Sequence, residues 1–217
     1  MEQLVRVMNF GVSADGYAAG EGQSLERPFG HADPMALLGW APATASWVNR
    51  TEPGGSRGID DYFTRDYARG IGAEIMGRNK FGPIRGPWPD LEWRGWWGED
   101  PPFHTPVLVL THHPRPSFSL SDTTFHFADL EPAAALDRAR ELARGAGVGA
   151  DVRIGGGAAT VRQFLDADLI DTLHVTVSPL TLGGGARLWE SPDELRDRYT
   201  HETVPSASGV VHHLFWR

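Results

Sequence analysis

Hydrophobic and polar positions alternate over Leu4 to Asn9, with Val5 and Val7 on one face. That pattern predicts a half-buried strand ending at the turn Ser13-Ala14-Asp15-Gly16. A polar, glycine-rich loop follows. Asp33-Pro34 reads as a helix start, the carboxylate as N-cap and the proline in the first turn, ahead of Met35, Leu37 and Leu38; Pro42 cuts the helix short. After a second loop, Thr51 to Gly58, the spacing of Ile59, Tyr62, Phe63 and Tyr67 predicts a helix up to Ala73, and Glu74 to Met76 a short strand. Between Pro83 and Pro106, Trp88, Trp93, Trp96 and Trp97 lie scattered among prolines and glycines. The segment is therefore a long aromatic loop, of the kind that is functional or mobile.

Val107 to Leu110 is an uninterrupted apolar run, as in a strand covered on both faces, and ends at Thr111-His112. Thr124 to Phe127 predicts another strand. Beyond Pro132, the stripe Leu136, Ala139, Leu142, Ala143 predicts a helix terminated by Gly145, Gly147 and Gly149. Leu173, Val175 and Val177 alternate with His174, Thr176 and Ser178, and Val210 to Trp216 forms a last strand. Strands separated by helices, closing on consecutive strands, indicate one α/β domain over 1–217: a mainly parallel central sheet with flanking helices and an antiparallel C-terminal edge.

The Asp151 to Asp168 segment changes the picture from fold to chemistry. A short strand runs through Ile154 into Gly155, Gly156 and Gly157, and Val161, Phe164 and Leu165 then mark a helix. Glycines there admit close backbone approach, and the amides and positive dipole end of the helix face whatever anion docks. An ordinary tight connection has the same sequence, so the turn gains meaning only from its company.

Composition narrows the company. The chain of 217 residues is 41% hydrophobic with a net charge of −8, which opposes nucleic acid or an anionic membrane as a main partner and requires any anion to be bound locally. No stretch is long enough to span a bilayer and the N-terminus lacks a basic region followed by an apolar core, so a cytoplasmic location is expected. Without cysteine there is no disulfide, thiolate nucleophile or cysteine-ligated metal. His112-His113 and His212-His213 are neighbours on expected strands, pointing to opposite faces and poorly placed to share an ion; no His-Glu-x-x-His and no Gly-x-Ser-x-Gly occurs. No metal is expected.

Ser13-Ala-Asp-Gly-Tyr-Ala-Ala-Gly20, Ile75-Met-Gly-Arg78, Pro106-Val-Leu-Val-Leu-Thr-His112, Ile154-Gly-Gly-Gly157, Leu169 to Pro179 and Gly183-Gly-Gly-Ala-Arg-Leu188 occur in order. Together they resemble the dihydrofolate-reductase-like family, in the branch similar to the reductase domain of the bacterial riboflavin deaminase-reductase. The resemblance implies a stand-alone reductase with NADPH as hydride donor. Under it, Arg78, with Gly77, Asn79 and Lys80 (the only lysine of the chain), neutralises the 2′-phosphate, and Thr111 and His112 hold the same phosphate or the adenine face. Ile154, Gly155, Gly156, Gly157, Ala158 and Ala159 hold the diphosphate, and Val12 and Ala18 flank the nicotinamide. A solvated arginine and a simple strand cap are the plain alternatives for Arg78 and Thr111.

Asp15 is the candidate proton donor, although an aspartate before glycine is also an ordinary turn residue; Asp33, Asp60 and Asp61 compete, each with an alternative as a helix-start charge. Trp40 and the loop tryptophans can stack on a planar small-molecule substrate or pack as a lid. Two charged positions of the riboflavin reductases, a lysine six residues before the turn aspartate and a glutamate before the glycine pair, read Asn9 and Gly155 here. The substrate is thus left as a pterin-, pyrimidine- or carbonyl-containing molecule, and a non-catalytic NADPH-binding sensor is the alternative function. Family members are commonly dimers, so a homodimer covering part of the C-terminal strands is expected, with the tryptophan loop closing over the nicotinamide crevice.

Overall fold

A computed structural model describes residues 3–147 and 150–217; Gly149, expected among the helix-ending glycines, lies outside them. The strands are β1 (Val5–Ser13), β2 (Tyr17–Ala19), β3 (Ile71–Gly77), β4 (Val107–Leu110), β5 (Phe118–Leu120), β6 (Thr123–Ala128), β7 (Asp151–Gly156), β8 (Thr172–Ser178), β9 (Ala186–Arg187), β10 (Thr200–Pro205) and β11 (Val211–Trp216). The helices are α1 (Pro34–Leu38), α2 (Ile59–Arg65), α3 (Arg78–Phe81), α4 (Pro132–Ala146) and α5 (Ala158–Asp166).

Nine strands form one sheet in the order β10-β11-β8-β1-β7-β3-β4-β6-β5. From β8 to β6 every pair is parallel, whereas β11 and β10 on one side and β5 on the other are antiparallel. The chain builds outward from β1 through β3, β4 and β6, returns to insert β7 between β1 and β3, and then crosses to β8. Reversal of direction opens a crevice at the carboxyl ends of β1, β7 and β3, where open α/β sheets take their ligands.

The core follows from strand alternation. Val5, Val7, Ala73, Ile75, Val152, Ile154, Leu173 and Val175 face α4 and α5, which bury Ala135, Leu136, Ala139 and Val161, Phe164, Leu165 against them. On the other face, Met76, Val107, Val109, Phe125 and Phe127 meet Phe81 and the 83–106 loop, while Trp40, Ala41 and Val210 pack together near α1. Asp33 caps α1 by accepting from the Met35 amide at 2.8 Å.

Several expectations shift. The helix anticipated up to Ala73 ends at Arg65, because Gly70 turns the chain at φ 77 and Ile71 starts a strand buried at every residue. Ile59, Tyr62 and Phe63 do lie on that helix, and Tyr67 falls in the turn beyond it. The first strand extends to Ser13, past a register shift between Val7 and Phe10 where Asn9 has φ 54. β5 and β10 were not foreseen: one is three residues long, the other an exposed polar edge without an apolar face. No helix among the described residues is long and apolar enough to cross a membrane.

Candidate functional site

The crevice is built from three backbone ends. β3 finishes at Gly77, which passes directly into α3; a Cβ on Gly77 would run into Thr160 of α5 and lie 3.7 Å from the Gly157 nitrogen. The amino ends of α3 and α5 therefore sit side by side. Gly157 is the N-cap of α5 without a side-chain cap, and a Cβ there meets nothing within 4 Å, so open space faces the uncapped helix start. Gly156 is different: it holds φ 114 and a Cβ would come within 2.9 Å of the Phe10 ring, and its peptide bond to Gly157 is cis. Ile154 and Ala158 are core residues, whereas Ala159 is exposed.

Arg78 opens α3, and its guanidinium lies 3.9 Å from the centre of the Trp88 ring. Its Nε and Nη2 are buried without a hydrogen-bond partner. A guanidinium stripped of water and left unpaired is expensive, so the geometry suits an anion that completes it; burial alone already pushes its pKa down. Asn79 reaches Gln23 of the loop after β2 at 3.5 Å, bringing that polar loop across the crevice.

Lys80 is not where the sequence put it. Its ammonium turns inward to Glu74 at 3.1 Å and the Gly155 carbonyl at 2.7 Å, away from Arg78's stacked guanidinium. Thr111 is buried and its hydroxyl accepts from the His113 amide at 3.1 Å, so it closes the end of β4. His112 points into solvent and contacts Asp129 at 2.9 Å. Val12 is buried in β1 and Ala18 half-buried in β2.

The Asp15 carboxylate accepts from the Ser13 hydroxyl at 2.6 Å and from the Leu182 and Gly183 amides at 3.0 and 2.7 Å. Burial raises its pKa, but these bonds outweigh it and lower it to about 2. In this fold it is an ionised carboxylate that clamps the turn. Trp40 is 5% exposed and packs edge-on against His212, so its ring offers no open face to a substrate; its indole N–H is buried and unpaired. The tryptophan loop also moves. Trp88, Trp93 and Trp96 donate to the carbonyls of His113, Phe81 and Lys80 at 2.6, 2.9 and 2.9 Å, and Trp97 stacks on Phe125. The loop covers α3 and the β4–β6 face, not the end of β1.

A sequence profile of the RibD C-terminal domain matches residues 6–204. The chain belongs to that family. As a RibD C-terminal domain it has the dihydrofolate-reductase-like α/β architecture implied by the motif order. Its fold is shared with a putative riboflavin biosynthesis protein from Shewanella sp. PV-4, at 21% identity over 100% of this chain and 99% of that one, with a TM-score of 0.52. It is also shared with a pyrimidine reductase-like protein from Corynebacterium diphtheriae, at 14% identity, 99% and 92% coverage and a TM-score of 0.51. No curated protein matches the chain.

Two groupings in this RibD C-terminal domain escaped the sequence. Glu74, fully buried in β3, joins Arg153 of β7, its Oε2 accepting from Nε at 2.7 Å, and Lys80; a lone carboxylate within Ile71 to Gly77 was the available signal. Glu74 also occupies the space that any side chain at position 155 would need. The second is a buried chain in which the Asn9 amide donates to His174 Nδ1 at 3.3 Å, His174 Nε2 meets His212 Nδ1 at 2.9 Å and His212 Nε2 meets Asp60 at 2.8 Å. Phe63 packs against both rings. The neighbours His212 and His213 do face opposite ways: His213 meets His201 at 3.0 Å. Away from the crevice, an open pocket of about 540 Å³ at the amino ends of β4 and β6 is lined by His104, Asp122 and Arg138 among others. Beside it, Asp100, His104 and Asp122 gather their polar atoms within 4.8 Å, all exposed.

Proposed function

We propose that the chain is an NADPH-dependent reductase of a small heterocyclic, pyrimidine- or pterin-like molecule. The observation that carries this is Arg78: a guanidinium with two buried, unpaired nitrogens at the strand end next to the uncapped start of α5. That pairing of fixed charge and open helix amides suits the two anionic groups of NADPH. Arg78 takes the 2′-phosphate in a bidentate, charge-assisted pair, held flat by Trp88. Gly157, Ala158 and Ala159 present amides to the diphosphate. Half-buried Ala18 forms the apolar wall beside the nicotinamide, backed by Val12 in the core. When bound, NADPH supplies the hydride, and the chain's part is to bind, orient and exclude water.

A second reading has a specific observation behind it. With Asp15 ionised and saturated by hydrogen bonds, no free acid stands at the turn to give a proton, which favours an NADPH-binding sensor without turnover. Following NADPH oxidation with a panel of oxidised pterins and pyrimidine ribosyl compounds separates the two: substrate-dependent loss of absorbance supports the reductase, and binding with no turnover across the panel supports the sensor.

A further inference from the structure

Glu74, Arg153 and Lys80 hold two cations against one carboxylate. Glu74 is 0% and Arg153 1% exposed, and the two are joined through Nε and Nη2 of the guanidinium. Both bonds end on the same oxygen, Oε2, and this one guanidinium already balances the charge of Glu74; both partners' charged states are favoured, Glu74 by the two cations and Arg153 by Glu74, against the cost of burial. Lys80 is then a surplus charge. Among the described residues no second carboxylate lies within ion-pair distance of either cation.

The surplus is not randomly placed. The Lys80 ammonium donates to the carbonyl of Gly155 at 2.7 Å, and its Cδ lies 3.8 Å from where a Cβ would sit on Gly156. With Glu74 as its other partner, one of its three donors remains. Its side chain is 26% exposed, so the network is closed at the Arg153 end and open at the Lys80 end, beside the glycine turn. A partly desolvated cation that shares its one carboxylate with Arg153 is costly unless a further anion completes it.

We propose that Lys80 is the built-in counter-charge for a diphosphate seated at the Gly155–Gly157 turn, and that Glu74 and Arg153 are positioning residues that hold its ammonium there. This rests on the cofactor reading above but gives Lys80 a different place from Arg78: the diphosphate and not the 2′-phosphate. A purely structural lysine would leave anion binding untouched.

The test is calorimetric titration of wild type, Lys80→Gln, Lys80→Met and Lys80→Arg with NADP⁺, inorganic pyrophosphate and adenosine 2′-phosphate at two ionic strengths, alongside thermal unfolding. Lys80→Gln removes the charge while keeping a side-chain donor, one bond shorter, on the side of Glu74 and Gly155, so it carries the test should Lys80→Met fail to fold. Both neutral variants are expected to lose about tenfold or more in affinity for NADP⁺ and pyrophosphate, with a weaker salt dependence. Adenosine 2′-phosphate, which needs Arg78 alone, should bind as in wild type, and Lys80→Arg should recover most of the lost affinity. Unchanged pyrophosphate affinity in Lys80→Gln overturns the proposal, as does an equal loss for all three ligands. If wild type binds pyrophosphate and not NADP⁺, the cofactor reading fails while the loss in Lys80→Gln still upholds the counter-charge.

Discussion

At the scale of single residues, the last two glycines of the turn serve different purposes. Gly156 is required by the backbone: at φ 114 and against Phe10 any side chain is strained, at a cost of about 1–3 kcal/mol, and Gly156→Ala is expected to lower the unfolding temperature. Gly157 is required by the ligand, since its Cβ would enter open space. Gly157→Val should keep a cooperative thermal transition and lose NADPH binding; normal binding in that variant would make the turn structural at both positions. Arg153 offers a third contrast. Replacing it by Met leaves the buried Glu74 with Lys80 as its one cation and the Tyr67 carbonyl without its guanidinium donor, so a lower urea midpoint is expected.

Residues of one kind were legible in the sequence and another kind were not. Arg78 and the glycines stand at strand ends within short local patterns, so order along the chain was enough to find them. The setting of Asp15 was not legible, because its amide donors come from Leu182 and Gly183, distant in sequence. Glu74, Arg153, His174, His212 and Asp60 owe their partnerships to strand order, which no local periodicity encodes.

At the scale of elements, the tryptophan loop is a brace for α3. Trp88 lies between the Arg78 and Arg115 guanidiniums, at 3.9 and 5.0 Å, so it both orients Arg78 and reports on it. Quenching of tryptophan fluorescence by NADPH should fall sharply in Trp88→Phe, with affinity weakened severalfold, as expected for losing a stacking contact of about 0.5–2 kcal/mol. An unaltered response would detach Trp88 from the cofactor. Long loops without periodicity cannot be placed from sequence, which is why closure over the nicotinamide crevice was expected and a position against α3, β4 and β6 was found.

Packing of α1 and α2 over β8 and β11 has a pH signature. Burial, with His212 and His213 adding to it, lowers His174 to about 3, and burial with His201 and His212 lowers His213 to about 4, from 6.5. Both rings stay neutral in the fold while the unfolded chain takes up protons below about 6.5. The unfolded state therefore binds more protons, and stability is full above pH 6.5 and falls toward pH 4, His174 alone contributing a slope of about 1 kcal/mol per pH unit. Urea midpoints measured at pH 7.5, 6 and 5 should decline; a flat series over that range would contradict the buried, neutral relay.

At the scale of the whole molecule, the sheet was readable in outline because buried parallel strands are apolar throughout and their helices amphipathic. Its edges were not, since β5 and β10 are short or polar. That matters for assembly: β8 is paired on both sides by β1 and β11, so a partner copy would have to meet the β10 edge or the outer face of the hairpin instead of the β8 edge. Light scattering at micromolar concentration is expected to give a dimer, weakened by proline at Thr203 in β10, and a monomer that binds NADPH fully would remove assembly from the account.

The central claim is that an unpaired guanidinium at the end of β3 selects a phosphorylated dinucleotide. Parallel titrations of wild type and Arg78→Ala with NADPH and with NADH test it most directly. The account predicts that wild type prefers NADPH and that Arg78→Ala loses roughly 1.5 to 3 kcal/mol, about ten- to hundredfold in affinity, for NADPH alone. An equal loss for both dinucleotides, or no preference in wild type, would contradict it.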